Sequence, residues 1–145
     1  CTDTRKIEKG DLFFALKGET YDANQFAQEA LEKGASSVVI DNPKYKTGKQ
    51  NILVDDSLKA LQNLANHHRK ALGIPIISLT GSNGKTTTKE LINNVLSKKF
   101  KTVATIGNLN NHIGVPLTLL SMDKSTELGI VEMGANHQKE IEALC

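Results

Sequence analysis

Tryptophan is absent from this 145-residue chain, and phenylalanine and tyrosine leave the aromatic share at only 4%. So thin a supply offers no stacking platform for bases and argues against single-stranded nucleic acid as a partner. Charge points the same way. Eighteen basic and 16 acidic residues are interspersed to a net +2, with no basic stripe, so no nucleic acid partner is expected. Cysteine occurs only at the two ends, Cys1 and Cys145, without metal-ligand spacing, so two free thiols are expected rather than a disulfide framework or a zinc site. No apolar run approaches the roughly 18 residues that a bilayer requires, so no membrane span is expected. The opening residues, Cys1-Thr2-Asp3-Thr4-Arg5-Lys6, hold neither an initiator Met nor a signal-peptide core, and the chain reads as an excised piece of something longer.

What is present is an ordinary globular composition, 39% hydrophobic and 23% charged, in a length that allows one domain or two small ones. In the first half, Asp11–Leu16 reads as a strand, and Asn24 as the cap of a helix carrying Phe26, Ala27, Ala30 and Leu31 on one face until Gly34. Ser37–Ile40 and Asn51–Val54 read as strands rich in β-branched residues. A helix is expected from Ser57 to Leu72, with Leu58, Leu61, Ala65, His68 and Leu72 on one stripe. Gly73 and Pro75 stop it, which places a boundary between a unit 1–73 and a unit 74–145. Beyond it, Ile74–Leu79 is apolar enough for a strand buried on both faces. A helix from Lys85 to about Lys98, burying Leu91, Ile92, Val95 and Leu96, comes next. Then follow a strand Lys101–Ile106, a short helix Val115–Leu120, a strand Leu128–Met133 and a helix Gln138–Leu144. This alternation predicts an α/β fold with a parallel sheet.

The chemistry concentrates in Thr80-Gly81-Ser82-Asn83-Gly84-Lys85-Thr86-Thr87-Thr88. Two glycines let the backbone turn tightly and aim N–H groups at an anion, and the helix that starts there adds its positive end. Lys85 is placed to reach the β- and γ-phosphates of a nucleoside triphosphate, and the Thr86 hydroxyl suits Mg²⁺. The common form of such a loop has a glycine where this chain has Leu79. An acidic metal partner is expected at the end of a neighbouring strand, and Glu132 stands there, after Leu128-Gly129-Ile130-Val131. His137 and the His67-His68 pair carry no assigned role. In Gly107-Asn108-Leu109-Asn110-Asn111-His112-Ile113-Gly114 the amides could satisfy a turn or touch a substrate, since the stretch follows a strand on the phosphate-loop side.

These motifs resemble those of the Mur ligases and their folylpolyglutamate synthase relatives. The likeness spans the whole chain: the phosphate loop lacking its early glycine, the stretch from Gly107 to Thr118, Glu132-Met133-Gly134-Ala135-Asn136-His137, Asp3-Thr4-Arg5-Lys6, and Gly10 to Gly18. The resemblance implies a small N-terminal UDP-binding α/β domain followed by the start of a P-loop parallel-sheet ATPase domain. Gly81, Ser82, Asn83, Gly84, Lys85, Thr86 and Thr87 match the family's ATP loop. Glu132 matches its Mg²⁺-binding glutamate, leaving Lys85 and Glu132 as the catalytic pair. Asn108, Asn110 and Asn111 match a substrate-side loop, and Thr4, Arg5, Lys17 and Gly18 a uridine-side motif. Tyr21-Asp22-Ala23-Asn24 departs from the family's usual His-containing segment, so no contact is carried over to Asn24.

The implied activity is ATP-dependent amide-bond formation in cytoplasmic bacterial peptidoglycan precursor synthesis. D-Ala-D-Ala is joined to UDP-N-acetylmuramoyl-tripeptide through an acyl phosphate, in a monomer. A sister ligase adding another amino acid, and a nucleotide-binding module without ligation, remain alternatives. The chain alone is expected to be inactive.

Overall fold

The computed structural model describes residues 1–18, 20–135 and 140–144. The chain divides into two compact units, Cys1–Leu61 and Gln62–Cys145. Each is built around a three-stranded, wholly parallel sheet. The α/β expectation with parallel sheets holds.

In the first unit, β1 (Leu12–Phe14), β2 (Ser37–Ile40) and β3 (Asn51–Leu53) lie in the order β1-β2-β3. Helix α1 (Ala27–Glu32) is the crossover between β1 and β2. Its small residues Ala27 and Ala30 pack with Phe13, Val38 and Ile40, all buried, so the helix lies close on the sheet. Burying a side chain such as Phe13 or Ile40 stabilises the unit by about 1.5–3 kcal/mol. Asn24 is not the helix cap. Asp22, extended at φ −120°, caps a 3₁₀ turn, Ala23–Phe26, by accepting from the Asn24 N–H, and the turn runs into α1. Asn24 already lies inside that turn, and its buried amide is engaged elsewhere. A cap needs an extended backbone, which here belongs to Asp22.

Helix α2 (Ser57–Leu72) carries the chain from the first unit into the second. The sequence punctuation sets the boundary at Gly73, whereas the compact units divide within α2. Ala65 and Leu72 pack with Val115, Leu119 and Met122 of the second core, and the His68 ring nitrogen meets the Met122 carbonyl at 2.7 Å.

In the second unit β4 (Ile76–Leu79), α3 (Lys85–Leu96), β5 (Thr102–Ala104), α4 (Gly114–Leu120), β6 (Leu128–Glu132) and α5 (Glu140–Leu144) follow in order. The sheet order β4-β6-β5 puts β6 in the centre. Only β6 is therefore buried along most of its length, and β4 is half-exposed as an edge strand rather than covered on both faces. Helix α3 also differs from its periodic reading. Leu91 and Val95 are 61% and 70% exposed, Ile92 and Leu96 are half-buried, and the fully buried residue is Lys89. The expected helix at Gln138 lies partly outside the described residues. No helix among those described is long and apolar enough to cross a membrane.

Candidate active site

Sheet register assembles the site in the second unit. Leu79 pairs with Glu132, and the Met133 N–H donates to the Leu79 carbonyl at 2.8 Å. The chain leaves β4 one residue later, at Thr80, so the phosphate loop rises beside the end of β6. Gly84 caps α3 at φ +76°, a left-handed conformation that only glycine adopts without strain. No side chain caps α3. Among the described residues the amides of Ser82, Asn83 and Gly84 have no acceptor, which leaves N–H groups at a helix N-terminus for an anion. The Lys85 ammonium folds over the loop and donates to the Gly81 carbonyl at 2.7 Å. Ser82, Asn83 and Thr87 are exposed around it.

Glu132 is 1% exposed. Its carboxylate accepts from the Thr86 hydroxyl at 3.0 Å and from the Asn110 side-chain amide at 2.8 Å. Its backbone N–H donates to the Thr105 hydroxyl at 2.9 Å. Both side-chain donors are neutral, and no cationic side chain among the described residues pairs with it. A buried carboxylate held by a hydroxyl and an amide keeps oxygen lone pairs for a hard cation. With Thr86 it supplies the oxygen donors that Mg²⁺ favours, and nucleotide phosphates would complete the shell.

The asparagine stretch is held by several contacts. Asn110 reaches Glu132, and its carbonyl accepts from the Gly134 N–H at 2.7 Å. The Asn111 side-chain oxygen accepts from the Ile113 and Gly114 N–H groups, fixing the start of α4. Asn108 is exposed. A Cβ at Gly114 would overlap the Leu109 backbone, so only glycine permits this packing. His137 lies outside the described residues.

The uridine-side candidates sit in the first unit. Thr4 opens a 3₁₀ turn capped by Asp3, and Arg5 pairs with the Asp3 carboxylate through Nε and Nη2 at 2.9 and 2.8 Å. That hydrogen-bonded pairing holds the Asp3 carboxyl well below the usual carboxylate range and raises Arg5. Lys17 bonds Asp41 at 2.8 Å, which raises the lysine, and Gly18 closes a tight turn onto the Tyr21 carbonyl.

Asp41 was not legible from sequence. It is a hub that accepts from Lys17, from the Asn24 amide at 2.8 Å, and from the Ser57 N–H and hydroxyl. Its own N–H donates back to the Asn24 side-chain oxygen at 3.0 Å. In sequence Asp41-Asn42-Pro43 reads only as a turn, and nothing in the spacing pointed to its four donors.

A parallel strand ending in a glycine-rich loop, with a buried glutamate on the neighbouring strand and an asparagine amide bonded to it, is an α/β arrangement suited to an anion beside a hard cation. Family comparison narrows it. The model for the Mur ligase family catalytic domain matches residues 1–69, and that for the Mur ligase middle domain matches residues 79–145. The chain belongs to the Mur ligase family.

Its relatives include the UDP-N-acetylmuramoyl-tripeptide–D-alanyl-D-alanine ligases of Bacillus subtilis, 47% identical over 99% of this chain, and of Escherichia coli, 43% identical over 97%. Among solved structures, MurF from Acinetobacter baumannii superposes with a TM-score of 0.90 at 40% identity over 99% of the chain. MurF ligase from Thermotoga maritima, in complex with ADP, superposes at 0.88 with 34% identity over the whole chain. The chain spans about a third of the length of these relatives, 32% and 31% of the two ligases and 32% and 34% of the two structures.

Proposed function

We propose that this chain is the segment of an ATP-dependent ligase that holds the triphosphate and part of the UDP-linked substrate. The reaction joins D-Ala-D-Ala to UDP-N-acetylmuramoyl-tripeptide in cytoplasmic bacterial peptidoglycan precursor synthesis. The observation that carries the reading is the joint placement of Lys85, Thr86 and Glu132. Relatives named for this reaction, at 40–47% identity across nearly the whole chain, support it.

A free carboxylate has no leaving group for amide formation at neutral pH. In the proposed reaction its oxygen attacks the γ-phosphorus of ATP, ADP departs, and an acyl phosphate forms. The D-Ala-D-Ala amine then adds to the acyl carbon, phosphate leaves, and the amine sheds a proton. The work of the protein is placement and charge neutralisation. Loop N–H groups and Lys85 bind the phosphate oxygens, while Thr86 and Glu132 would hold Mg²⁺. When bound, Mg²⁺ would offset the charge on the transferred group. Asn110 orients Glu132, and Asn108 and Asn111 line the approach of the tripeptide end. In the first unit Thr4, Arg5, Lys17 and Gly18 would contact the uridine end, with 1–73 and 74–145 as substrate and nucleotide domains.

Lys85→Ala in the full-length ligase should lower turnover by about 10²–10³-fold or more, because a preorganised charge at the transferring phosphoryl is lost. The readout is phosphate release that depends on both UDP-muramoyl tripeptide and D-Ala-D-Ala. Near-normal turnover in a folded Lys85→Ala protein would end this reading. Equal turnover with a single amino acid would favour a sister ligase. Nucleotide binding without peptide-dependent phosphate release would favour a non-ligating module.

A further inference from the structure

Lys89 has no part in the chemistry above, yet its side chain is 0% exposed. Its ammonium donates to the Thr105 carbonyl at 2.7 Å and the Gly107 carbonyl at 3.2 Å, and it pairs with the Glu90 carboxylate at 2.9 Å. Those three partners match the three protons of an ammonium. An apolar side chain of similar length would fill the same space with no charge to strip of water, so lysine is a costly choice for packing alone.

What lysine adds is a tie to α3 for a segment whose ends are bonded to β6 and to Gly134. The Thr105 N–H donates to the Ile130 carbonyl, and the Asn110 carbonyl accepts from the Gly134 N–H. Thr105–Asn110 leaves β5 with Ile106 76% exposed and Leu109 42% exposed. The same segment carries two of the contacts that hold Glu132. The Thr105 hydroxyl accepts from its backbone N–H, and the Asn110 amide donates to its carboxylate. A third contact comes from Thr86, three residues before Lys89 on the same helix. Helix α3 thus frames Glu132 twice, directly through Thr86 and indirectly through the strand exit that Lys89 clasps.

We propose that Lys89 is a positioning residue for the metal and γ-phosphate site. Its ammonium pins the 105–110 segment to α3 and so sets where Asn110 and Glu132 stand. The proposal rests on the nucleotide reading above. It treats Lys89 as acting through backbone carbonyls, without touching substrate, whereas Lys85 acts on the phosphates themselves.

The test uses Lys89→Met in the full-length ligase, with two readouts that need no turnover. Amide hydrogen exchange across residues 105–111, without nucleotide, should quicken by about tenfold while exchange in the first unit stays unchanged. The Mg²⁺ concentration for half-maximal binding of AMP-PNP, followed by calorimetry, should rise by about 10-fold, the loss usual when a support behind a metal ligand is removed. Combined with Asn110→Ala, the shift in Mg²⁺ dependence should be less than additive, because both act through one segment. Unchanged exchange and Mg²⁺ dependence in folded Lys89→Met, or strict additivity, would overturn the proposal. If Lys89→Met does not fold, Lys89→Arg keeps the charge but misplaces the donors. It should then shift Mg²⁺ dependence in the same direction, and no shift there would equally overturn it. The two readings fail separately. Wild-type protein that binds no Mg²⁺·AMP-PNP refutes both. Loss of binding in Lys85→Ala with normal Lys89→Met refutes this one alone.

Discussion

Two carboxylates occupy matching places in the two units. Asp41 directly follows β2, and Glu132 ends β6, each the central strand of a three-stranded parallel sheet. Each accepts from an asparagine amide, Asn24 or Asn110, and from a hydroxyl in the first turn of the following or facing helix, Ser57 or Thr86. The difference is the cation. Lys17 bonds Asp41 at 2.8 Å, whereas Lys85 turns to a loop carbonyl and leaves Glu132 with neutral donors. In the first arrangement the carboxylate already has a cation from the chain itself. The other retains unneutralised charge in a dry place, where a divalent cation is worth most.

The sharpest way to break this comparison is to neutralise each carboxylate in turn. Glu132→Gln should cut turnover of the full-length ligase by about 10²–10³-fold, the range for losing a preorganised electrostatic group. Its stability in urea should stay level or rise, since a buried charge has gone. A marked loss of stability would show Glu132 to be structural. Asp41→Asn should do the reverse and lower stability by about 2–4 kcal/mol, because a new N–H₂ faces Lys17 and Asn24 donors. Hydrogen exchange resolved by residue would show whether that loss falls in the first unit.

The smallest effect is that of acid. Burial pushes the Asp41 carboxyl up, but hydrogen bonds from Lys17, Asn24 and Ser57 outweigh it and leave the group below the usual range. Asp22 is lowered against burial in the same way, mainly by Asn24. A folded-state value depressed below the unfolded one, about 3.9 for Asp, gives stability that is complete above the unfolded value. That stability fades as pH falls through the folded value. The urea midpoint of the first unit should therefore drop as pH falls below about 4, and Asp41→Asn should flatten the slope. An equal slope in wild type and variant would remove Asp41 as the hub.

Much of this arrangement was legible in the chain. Glycine, lysine and threonine at fixed offsets between a strand and a helix have few other uses, and a glutamate closing an apolar run is placed by the strand itself. The same logic failed where partners come from afar. Lys89 was not singled out from the sequence, because its acceptors are backbone carbonyls 16 and 18 residues away. Leu91 and Val95 read as core by spacing and stand exposed, because helical period fixes which residues share a face and says nothing of what covers it. Asn110 was identified as a substrate-side residue, but its tie to Glu132 depends on the fold of the 107–114 stretch, which periodicity does not describe.

The pairing of Leu79 with Glu132 ties correct assembly to competence. Neighbouring side chains on a strand point to opposite faces, so a slip of β6 by a single position would turn the glutamate away from Thr86. A chain mispaired in that way could still bury much of its apolar surface and survive as a compact body. It would lack the Thr86–Glu132 contact on which the proposed cation site depends, so a stable fold alone would not guarantee that site.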